Sequence, residues 1–473
     1  MTSAAIFDLD RTLIKGSSAS IVTKHLADAG ISTGTDLPFA DTLAEIYERF
    51  GENWLMMQPA KFAGRASAGW NVDAVAKACA AAAAEVAANL QPFARSVIDE
   101  HRAAGRTLVL ATTSPEPFVR PIMEALEFDD VVCTRWKSHQ GKFTGELDGN
   151  FLWGRAKADG VTDWAKANKV NLSDSYAFSD SYFDTPLLDA VGHPVAVNPD
   201  MQLVGTALLK GWPIRHFDKS EGVAKVAGKE LQDWSRPLMR PEIVAPYARI
   251  EVDGIENIPS EGAALLVFNH RSYFDPTVMG LILAKAGRSI RGLGKKEVFD
   301  APVIGKLARA MGGIRVERAS GSDEPLEKAA VALRGGEVVM MAPQGTIPRG
   351  PAFFDPVLKG RWGAARLAAM TGVPVIPIGL WGTENVWPRS ARLPNINFTD
   401  RPLVTANVGA AFHVEGDDAD ANTVEIMNAI SALLPPESQE IRTPTSEELM
   451  RTFPPGYKGD PNAEADRRPG TDT

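Results

Sequence analysis

Ala263-Ala264-Leu265-Leu266-Val267-Phe268-Asn269-His270-Arg271-Ser272-Tyr273-Phe274-Asp275 starts as an uninterrupted apolar run and ends in a polar stretch. It reads as a buried strand that delivers His270 to a loop at its end. A neutral imidazole, titrating ordinarily near about 6.5, can take a proton from a hydroxyl if Asp275 fixes its tautomer and steadies the charge it gains. Two readings stand at this point. His270 and Asp275 are a catalytic pair, or a turn-forming Asn269 and a helix-capping Asp275 make purely local structure.

The surrounding chain narrows the chemistry. Its 473 residues are enough for two to three domains, and hydrophobic and charged fractions of 44% and 23% are those of a soluble globular protein. A formal net charge of -9 excludes a general nucleic-acid binder, which needs a basic footprint. Charge is uneven, however: residues 287–367 hold 14 Lys and Arg against 8 Asp and Glu, an excess of six that suits anionic headgroups or coenzyme A phosphates. Cys79 and Cys133 have neither metal-site spacing nor the density of a disulfide framework, which fits a reducing compartment. Met1-Thr2-Ser3-Ala4 has no basic leader, so no signal peptide is expected, and no uncharged apolar run reaches the roughly 18 residues of a spanning helix. The expected location is therefore cytoplasmic, with peripheral contact with the membrane if the substrate is a lipid.

Three later stretches bear on His270. Asn269 to Asp275 resembles the N-H-x-x-x-x-D motif of the glycerolipid acyltransferases typified by lysophosphatidic acid acyltransferase. Gly312-Gly313-Ile314-Arg315-Val316-Glu317-Arg318, Pro343-Gln344-Gly345-Thr346 and Val373-Pro374-Val375-Ile376-Pro377-Ile378 resemble that family's second, third and fourth blocks, in its order. The resemblance covers roughly residues 246–420. It implies transfer of an acyl chain from acyl-CoA or acyl carrier protein to lysophosphatidic acid or another lysophospholipid, with His270 as general base and Asp275 as its orienter. It assigns Arg318 to the acceptor's phosphate, with Arg315 as a secondary candidate, and Gly345 and Thr346 to close backbone approach to phosphate. The third block departs from the family pattern: Gln344 stands where an acid is usual, and Ile347 and Pro348 stand where an arginine and a serine are usual. Arg349 is the candidate for the missing cation, and Lys359-Gly360 also fits the family.

The first part of the chain carries a second constellation. Ala4-Ala5-Ile6-Phe7 is a short strand leading to Asp8 and Asp10, whose i, i+2 spacing puts both carboxylates on one side of an extended chain. Such a pair binds a hard divalent cation, or supplies a nucleophile and a proton donor for phosphorus chemistry; two solvated acids in a turn is the bland alternative. A second buried strand, Thr107 to Ala111, ends in Thr112-Thr113-Ser114, a phosphate cradle, and is followed by Lys157 and by Asp180 and Asp184 after the strand Tyr176 to Ser179. This order resembles the haloacid dehalogenase superfamily, in its phosphoserine phosphatase branch, over roughly residues 1–215. The resemblance implies Asp8 as a nucleophile that becomes an aspartyl-phosphate, Asp10 as general acid and base, and Thr112 and Lys157 on the phosphoryl group. It implies Mg²⁺ held by Asp8, Asp10, Asp180 and Asp184. The branch's acidic residue for a substrate amine is absent from Ile14-Lys15-Gly16-Ser17-Ser18-Ala19, so a phosphomonoester without an amine fits as well as phosphoserine.

Between these motifs, helical spacing such as Leu43, Ile46, Tyr47 and Phe50 predicts a helical cap over about residues 19–89, with Trp54 to Met57 and Phe62 as core or as a lipid-facing patch. Mixed charge and Pro237, Pro241 and Pro246 place a helical linker at 216–245, where Glu230 to Arg240 reads as an interfacial or a packing helix. Lys295 to Met311 reads as one amphipathic helix, with Val298, Phe299, Ile304, Leu307 and Met311 on its apolar side. Beyond 437 few apolar residues remain, which predicts an extended or disordered tail over 438–473, with Phe453 and Tyr457 as candidates to strap it to the surface. The expected protein is α/β throughout. A Rossmann-like haloacid dehalogenase domain with a helical cap (1–215) precedes a mixed-sheet glycerolipid acyltransferase domain (246–437), and the first is either an Mg²⁺-dependent phosphomonoesterase or a non-catalytic scaffold.

Overall fold

The computed structural model describes residues 2–31, 64–226, 228–316 and 323–460, and the chain divides into two compact units, Met1–Asp218 and Lys219–Thr473. Leu43 to Phe50, Trp54 to Met57 and Phe62, expected in the cap, lie outside the described residues.

In the first unit the strands are β1 (Ala4–Phe7), β2 (Thr107–Pro115), β3 (Asp130–Thr134), β4 (Trp136–His139), β5 (Lys142–Leu147), β6 (Tyr176–Ser179), β7 (His193–Val197) and β8 (Ile214–Arg215). Helices α1 (Ser18–Asp28), α2 (Val72–Ala88), α3 (Ala94–Ala103), α4 (Glu116–Ala125) and α5 (Arg155–Ala167) punctuate them. The main sheet is parallel, in the order β3-β2-β1-β6-β7-β8, with a hydrophobic core on each face. The chain builds outward from β1 to β3 on one side and then from β6 to β8 on the other. This reversal between β1 and β6 opens a crevice at the strands' carboxyl ends, and Asp8 and Asp180 stand there. The described parts of the expected cap, α1 and α2, are helical. The β4–β5 hairpin, which local periodicity did not announce, joins that region through Trp136, whose ring meets those of Trp70, Phe118 and Phe143 edge-on.

His101 on α3 is 2% exposed among Phe7, Tyr176 and Phe178, with Nδ1 3.1 Å from Arg106 Nη1. Burial, then the charges of Arg106 and Arg215, pushes its pKa down from 6.5 to about 4. The folded form keeps the ring neutral while the unfolded chain binds a proton, so this stability is complete above pH 6.5 and drains as pH falls toward 4. The loss is on the order of 3 kcal/mol at pH 4. Urea unfolding of the first unit followed from pH 7 to 4 is expected to show that decline in the wild type and a flatter one in His101→Gln; equal slopes would refute it.

In the second unit a small hairpin, β9 (Lys225–Val226) with β10 (Lys229–Glu230), precedes helix α6 (Leu231–Ser235). The main strands are β11 (Arg249–Asp253), β12 (Ala264–Phe268), β13 (Ile290–Lys295), β14 (Ile314–Val316), β15 (Val338–Met341), β16 (Val375–Trp381) and β17 (Leu403–Val408). Their order is β11-β17-β16-β12-β15-β13-β14, parallel except where β16 meets β17, so the sheet is mixed. Strand β12 lies in the middle with all five residues buried, as its apolar run requires, and ends at the His270 loop. The principal helices around it are α7 (Asp275–Lys285), α8 (Glu324–Arg334), α9 (Gly363–Thr371), α10 (Ala419–Ser431) and α11 (Ser446–Arg451).

Three expectations need correction. The stretch 219–245 is no free linker, because it packs within the second unit. Lys295 to Met311 is not one helix: Lys295 ends β13, and the helices Lys296–Asp300 and Ile304–Ala310 are separated at Pro302. There Phe299 is buried, while Val298, Val303 and Leu307 are exposed. The tail is folded as far as 460: α11 carries a full capping box, Leu449 and Thr452 are buried, and Phe453 is fully buried and stacked on Tyr457.

The first correction has one main cause, Arg291 in the middle of β13. Its side chain is 1% exposed; Nε and Nη2 donate to Glu337 at 2.9 and 2.6 Å, and Nη1 donates to Glu230 at 2.9 Å. Lys219 also reaches Glu230, at 3.0 Å, and Gln232 on α6 bonds Ile290 and Met311. Gly312 of the second block lies so close over Arg291 that a Cβ would stand 2.6 Å from its Cδ. Removing the guanidinium leaves buried Glu337 without its cation and Glu230 with Lys219 alone. Arg291→Met is therefore expected to destabilise the second unit by about 3–5 kcal/mol in denaturant unfolding; a cost below about 1 kcal/mol would show the cluster to be replaceable by packing.

Candidate active sites

In the first unit, β1 leads directly into Asp8, whose amide donates to Phe178 O on β6 at 2.9 Å. Lys157, in the first turn of α5 and 1% exposed, donates to Asp8 Oδ1 at 2.9 Å and to Asp184 Oδ2 at 2.7 Å. Ser179 at the end of β6 donates to the same Asp184 oxygen at 2.7 Å. Asp180 accepts from Thr12 Oγ1 at 3.1 Å and from Arg11 Nε at 3.0 Å. Strand β2 runs on through Pro115, past the expected end at Ala111, with a register shift after that residue. Thr112 is buried, and its Oγ1 accepts from Ser114 N at 3.2 Å.

Asp10 is turned differently. Its carboxylate accepts from Ser18 N at 2.5 Å and lies 3.5 Å from Ser114 Oγ. Burial raises its pKa, with the Ser18 bonds and Lys157 pulling the other way, so the acid form is favoured more than for an ordinary aspartate. That suits a proton donor. Of the four carboxylates expected on Mg²⁺, Asp10 bonds Ser18 and Ser114 while Asp8 and Asp184 share Lys157, and among the described residues no three His, Cys, Asp or Glu side chains are grouped as metal ligands. Asp8 and Asp180 remain oxygen donors at neighbouring strand ends, and Asp184 Oδ1 is buried without a hydrogen-bond partner. Hard oxygen donors of this kind fit Mg²⁺, with Asp184 as a support behind them.

In the second unit, His270 Nδ1 lies 2.7 Å from Asp275 Oδ2. That oxygen also accepts the amides of Arg271 at 2.7 Å and Ser272 at 2.9 Å, and Asp275 is fully buried at the start of α7. An oxygen already receiving two N–H groups faces Nδ1 as an acceptor, so the ring proton sits on Nδ1 and Nε2 is left to act as base. The loop is tied down around this pair. Asn269 bonds both the amide and the carbonyl of Leu380, and Ser272 Oγ donates to Trp387 O at 2.6 Å. Arg271 pairs with Glu384 and lies over the rings of Phe353 and Trp381 at 4.4 and 4.2 Å.

Gln344 is 2% exposed, and its Oε1 accepts the amide of His270 at 2.6 Å. An amide oxygen does here what a carboxylate oxygen would, so the departure from the family's acid keeps the positioning bond and removes a negative charge. Gly345 has φ +68°, and a Cβ there would stand 3.3 Å from Arg361 Cδ. Sequence reading passed over Arg361, two residues after Lys359, yet it lies against the third block. Thr346 makes only a 3.5 Å contact with Ile347 O. Arg349 precedes the short turn Gly350–Phe353, and Arg315 is an exposed residue 3.6 Å from Asp300. Arg318 lies outside the described residues. Beside Arg271 a cavity of about 290 Å³ opens between Phe353, Trp381 and Glu384 on one side and Arg442, Glu448 and Thr452 of the C-terminal segment on the other.

Comparison with known proteins follows the same division. The haloacid dehalogenase-like hydrolase family model matches residues 5–189, and the acyltransferase family model matches residues 249–381. Over 222 residues the chain is 35% identical to the "inhibition of morphological differentiation" protein of Streptomyces azureus, covering 46% of this chain and 79% of that one. This chain belongs to the haloacid dehalogenase-like hydrolases and carries a fused acyltransferase domain. The hydrolase domain is also 32% identical over 234 residues to a phosphoserine phosphatase of Mycobacterium tuberculosis, covering 48% of this chain and 74% of that one. A solved lysophosphatidic acid acyltransferase of Thermotoga maritima is similar to 43% of this chain over 78% of its own, at 22% identity and a TM-score of 0.34. The acyltransferase domain's Trp387, Arg389 and whole C-terminal wall lie beyond the matched stretch. No helix among the described residues is long and apolar enough to cross a membrane.

Proposed function

We propose that the second unit moves an acyl chain from acyl-CoA or acyl carrier protein to lysophosphatidic acid, making phosphatidic acid, in peripheral contact with a membrane. The bond that carries this reading is His270 Nδ1 to Asp275 Oδ2 at 2.7 Å, because it leaves Nε2 of a partly exposed ring free to act as base. Nε2 takes the proton of the acceptor hydroxyl as its oxygen attacks the thioester carbonyl. The C–S bond breaks and the thiolate leaves, taking up the proton. No acyl-enzyme is required, since the thioester is already activated and holding the reactants together supplies much of the rate. The neutral Gln344, with Arg361, Arg349, Arg315 and Arg318 as candidate cations, suits an anionic acceptor.

The first unit is read as an Mg²⁺-dependent phosphomonoesterase. Bound Mg²⁺, held by Asp8 and Asp180, would neutralise phosphoryl charge. Asp8 attacks phosphorus and the ester P–O bond breaks, with Asp10 giving its proton to the leaving oxygen. Asp10 then takes a proton from the water that hydrolyses the aspartyl-phosphate. Lys157 holds Asp8 and sits where the phosphoryl charge passes, and Thr112 lines its cradle. The intact Lys157–Asp8–Asp184 chain favours this over a non-catalytic scaffold. The test is product analysis of the full chain with labelled acyl-CoA or acyl carrier protein and a series of lysophospholipids, beside phosphate release across phosphomonoesters with and without an amine. No labelled phosphatidic acid would remove the first reading, and no phosphate release in Mg²⁺ the second.

A further inference from the structure

Tyr273 of the first block is 40% exposed, and its ring stands edge-on to Trp387 at 6.0 Å. Trp387 leads into the surface loop 388–402, between the short helix Thr383–Val386 and β17. This loop is held in shape beside the His270 site. Trp387 Nε1 donates to Ala391 O at 3.2 Å, Asn395 N donates to Val386 O at 2.7 Å, and Asn397 Oδ1 accepts from the amides of Thr399 and Asp400 at 3.0 and 3.1 Å. From it project Leu393, Ile396 and Phe398, exposed by 75%, 60% and 64%. Three large apolar side chains within six residues, kept in water by an ordered turn, mark a surface that meets something apolar.

Charge selects the partner. Beside the tips Arg392 and Arg401 are exposed against Asp400, a local excess of one positive charge on a chain of net charge -9, whereas Arg389 is buried and donates to Ile347 O at 2.7 Å. Separate apolar tips flanked by guanidinium groups match the boundary of an anionic bilayer, where acyl chains receive the tips and headgroups meet the cations. A preformed protein pocket would ask for a continuous face instead. We propose that loop 388–402 inserts Leu393, Ile396 and Phe398 into the surface of an anionic lipid bilayer and holds the His270 site against it. The proposal rests on the lipid-acceptor reading, and names where that acceptor is collected.

Flotation of the full chain with vesicles of two parts phosphatidylcholine to one part phosphatidylglycerol tests it. The wild type is expected to float, and Leu393→Ser/Ile396→Ser/Phe398→Ser to lose about tenfold or more of its partitioning. Arg392→Gln/Arg401→Gln should lose binding to these vesicles in a salt-dependent way. Turnover of a short-chain, water-soluble lysophosphatidic acid should be unchanged in both. A triple variant that floats as the wild type does, or a wild type that does not float, overturns the proposal. So does a triple variant that keeps floating while passing from dimer to monomer in sedimentation velocity, which would assign the tips to a second copy. A wild type that floats through the loop yet acylates no lysophospholipid leaves the docking surface standing and removes the acceptor reading.

Discussion

His270→Ala is expected to lower kcat for acyl transfer by about 10²–10⁴-fold, the usual contribution of a positioned general base. The ring is not what holds the loop together: Asn269 ties it to Leu380, Asp275 collects the amides of Arg271 and Ser272, and Arg271 is lodged between Phe353, Trp381 and Glu384. The variant should therefore keep its unfolding midpoint while losing turnover. Asp275→Asn is the complementary case. It leaves the His270 ring in place but offers an amide where three N–H groups need an acceptor, so both stability and rate should fall. An His270→Ala protein that retains turnover within threefold of wild type would end the general-base mechanism.

Asp8→Asn is expected to lower phosphate release by on the order of 10³-fold or more, since it removes the attacking oxygen and not a supporting contact. The buried Lys157 would keep Asp184 as a partner, so the fold should tolerate the change. A fluoroberyllate adduct should form on the wild type and not on this variant. Because burial raises the pKa of Asp10, its proton-donating form should persist to higher pH than an ordinary aspartate would, and turnover should fall as pH rises beyond that. The two substitutions also cross-check each other: Asp8→Asn should leave acyl transfer intact and His270→Ala should leave phosphate release intact. Asp8→Asn that still releases phosphate would show the nucleophile to lie elsewhere.

How much of this was legible in the amino-acid order depends on how local each feature is. Strand β12 and its His270 loop could be read directly, because a buried strand advertises itself as an apolar run and His270 and Asp275 are only five positions apart. The crevice of the first unit was legible for the same reason, since Asp8, Thr112 and Asp180 each follow such a run. Arg291 was not: a lone arginine in a short strand looks solvated until Glu230 and Glu337, far away in sequence, are seen around it. That same long-range clamp makes 219–245 part of the second unit, though its prolines and mixed charge read as a linker. The folding of 438–460 was hidden because the apolar side chains deeply buried there are just Leu449 and Phe453, too few to give a periodic signal. Gln344 could be read only as a departure from the usual acid, and the His270 amide shows what the side chain binds.

The C-terminal wall has a consequence for how the protein is made. Gly350 beside the third block donates to Thr452 Oγ1, and Ser390 donates to Arg451 O, so residues that leave the ribosome long after His270 complete its surroundings. During synthesis the hydrolase unit, built from contiguous earlier residues, is free to fold first. The second unit, by contrast, keeps an unfinished cavity until its closing helix has emerged.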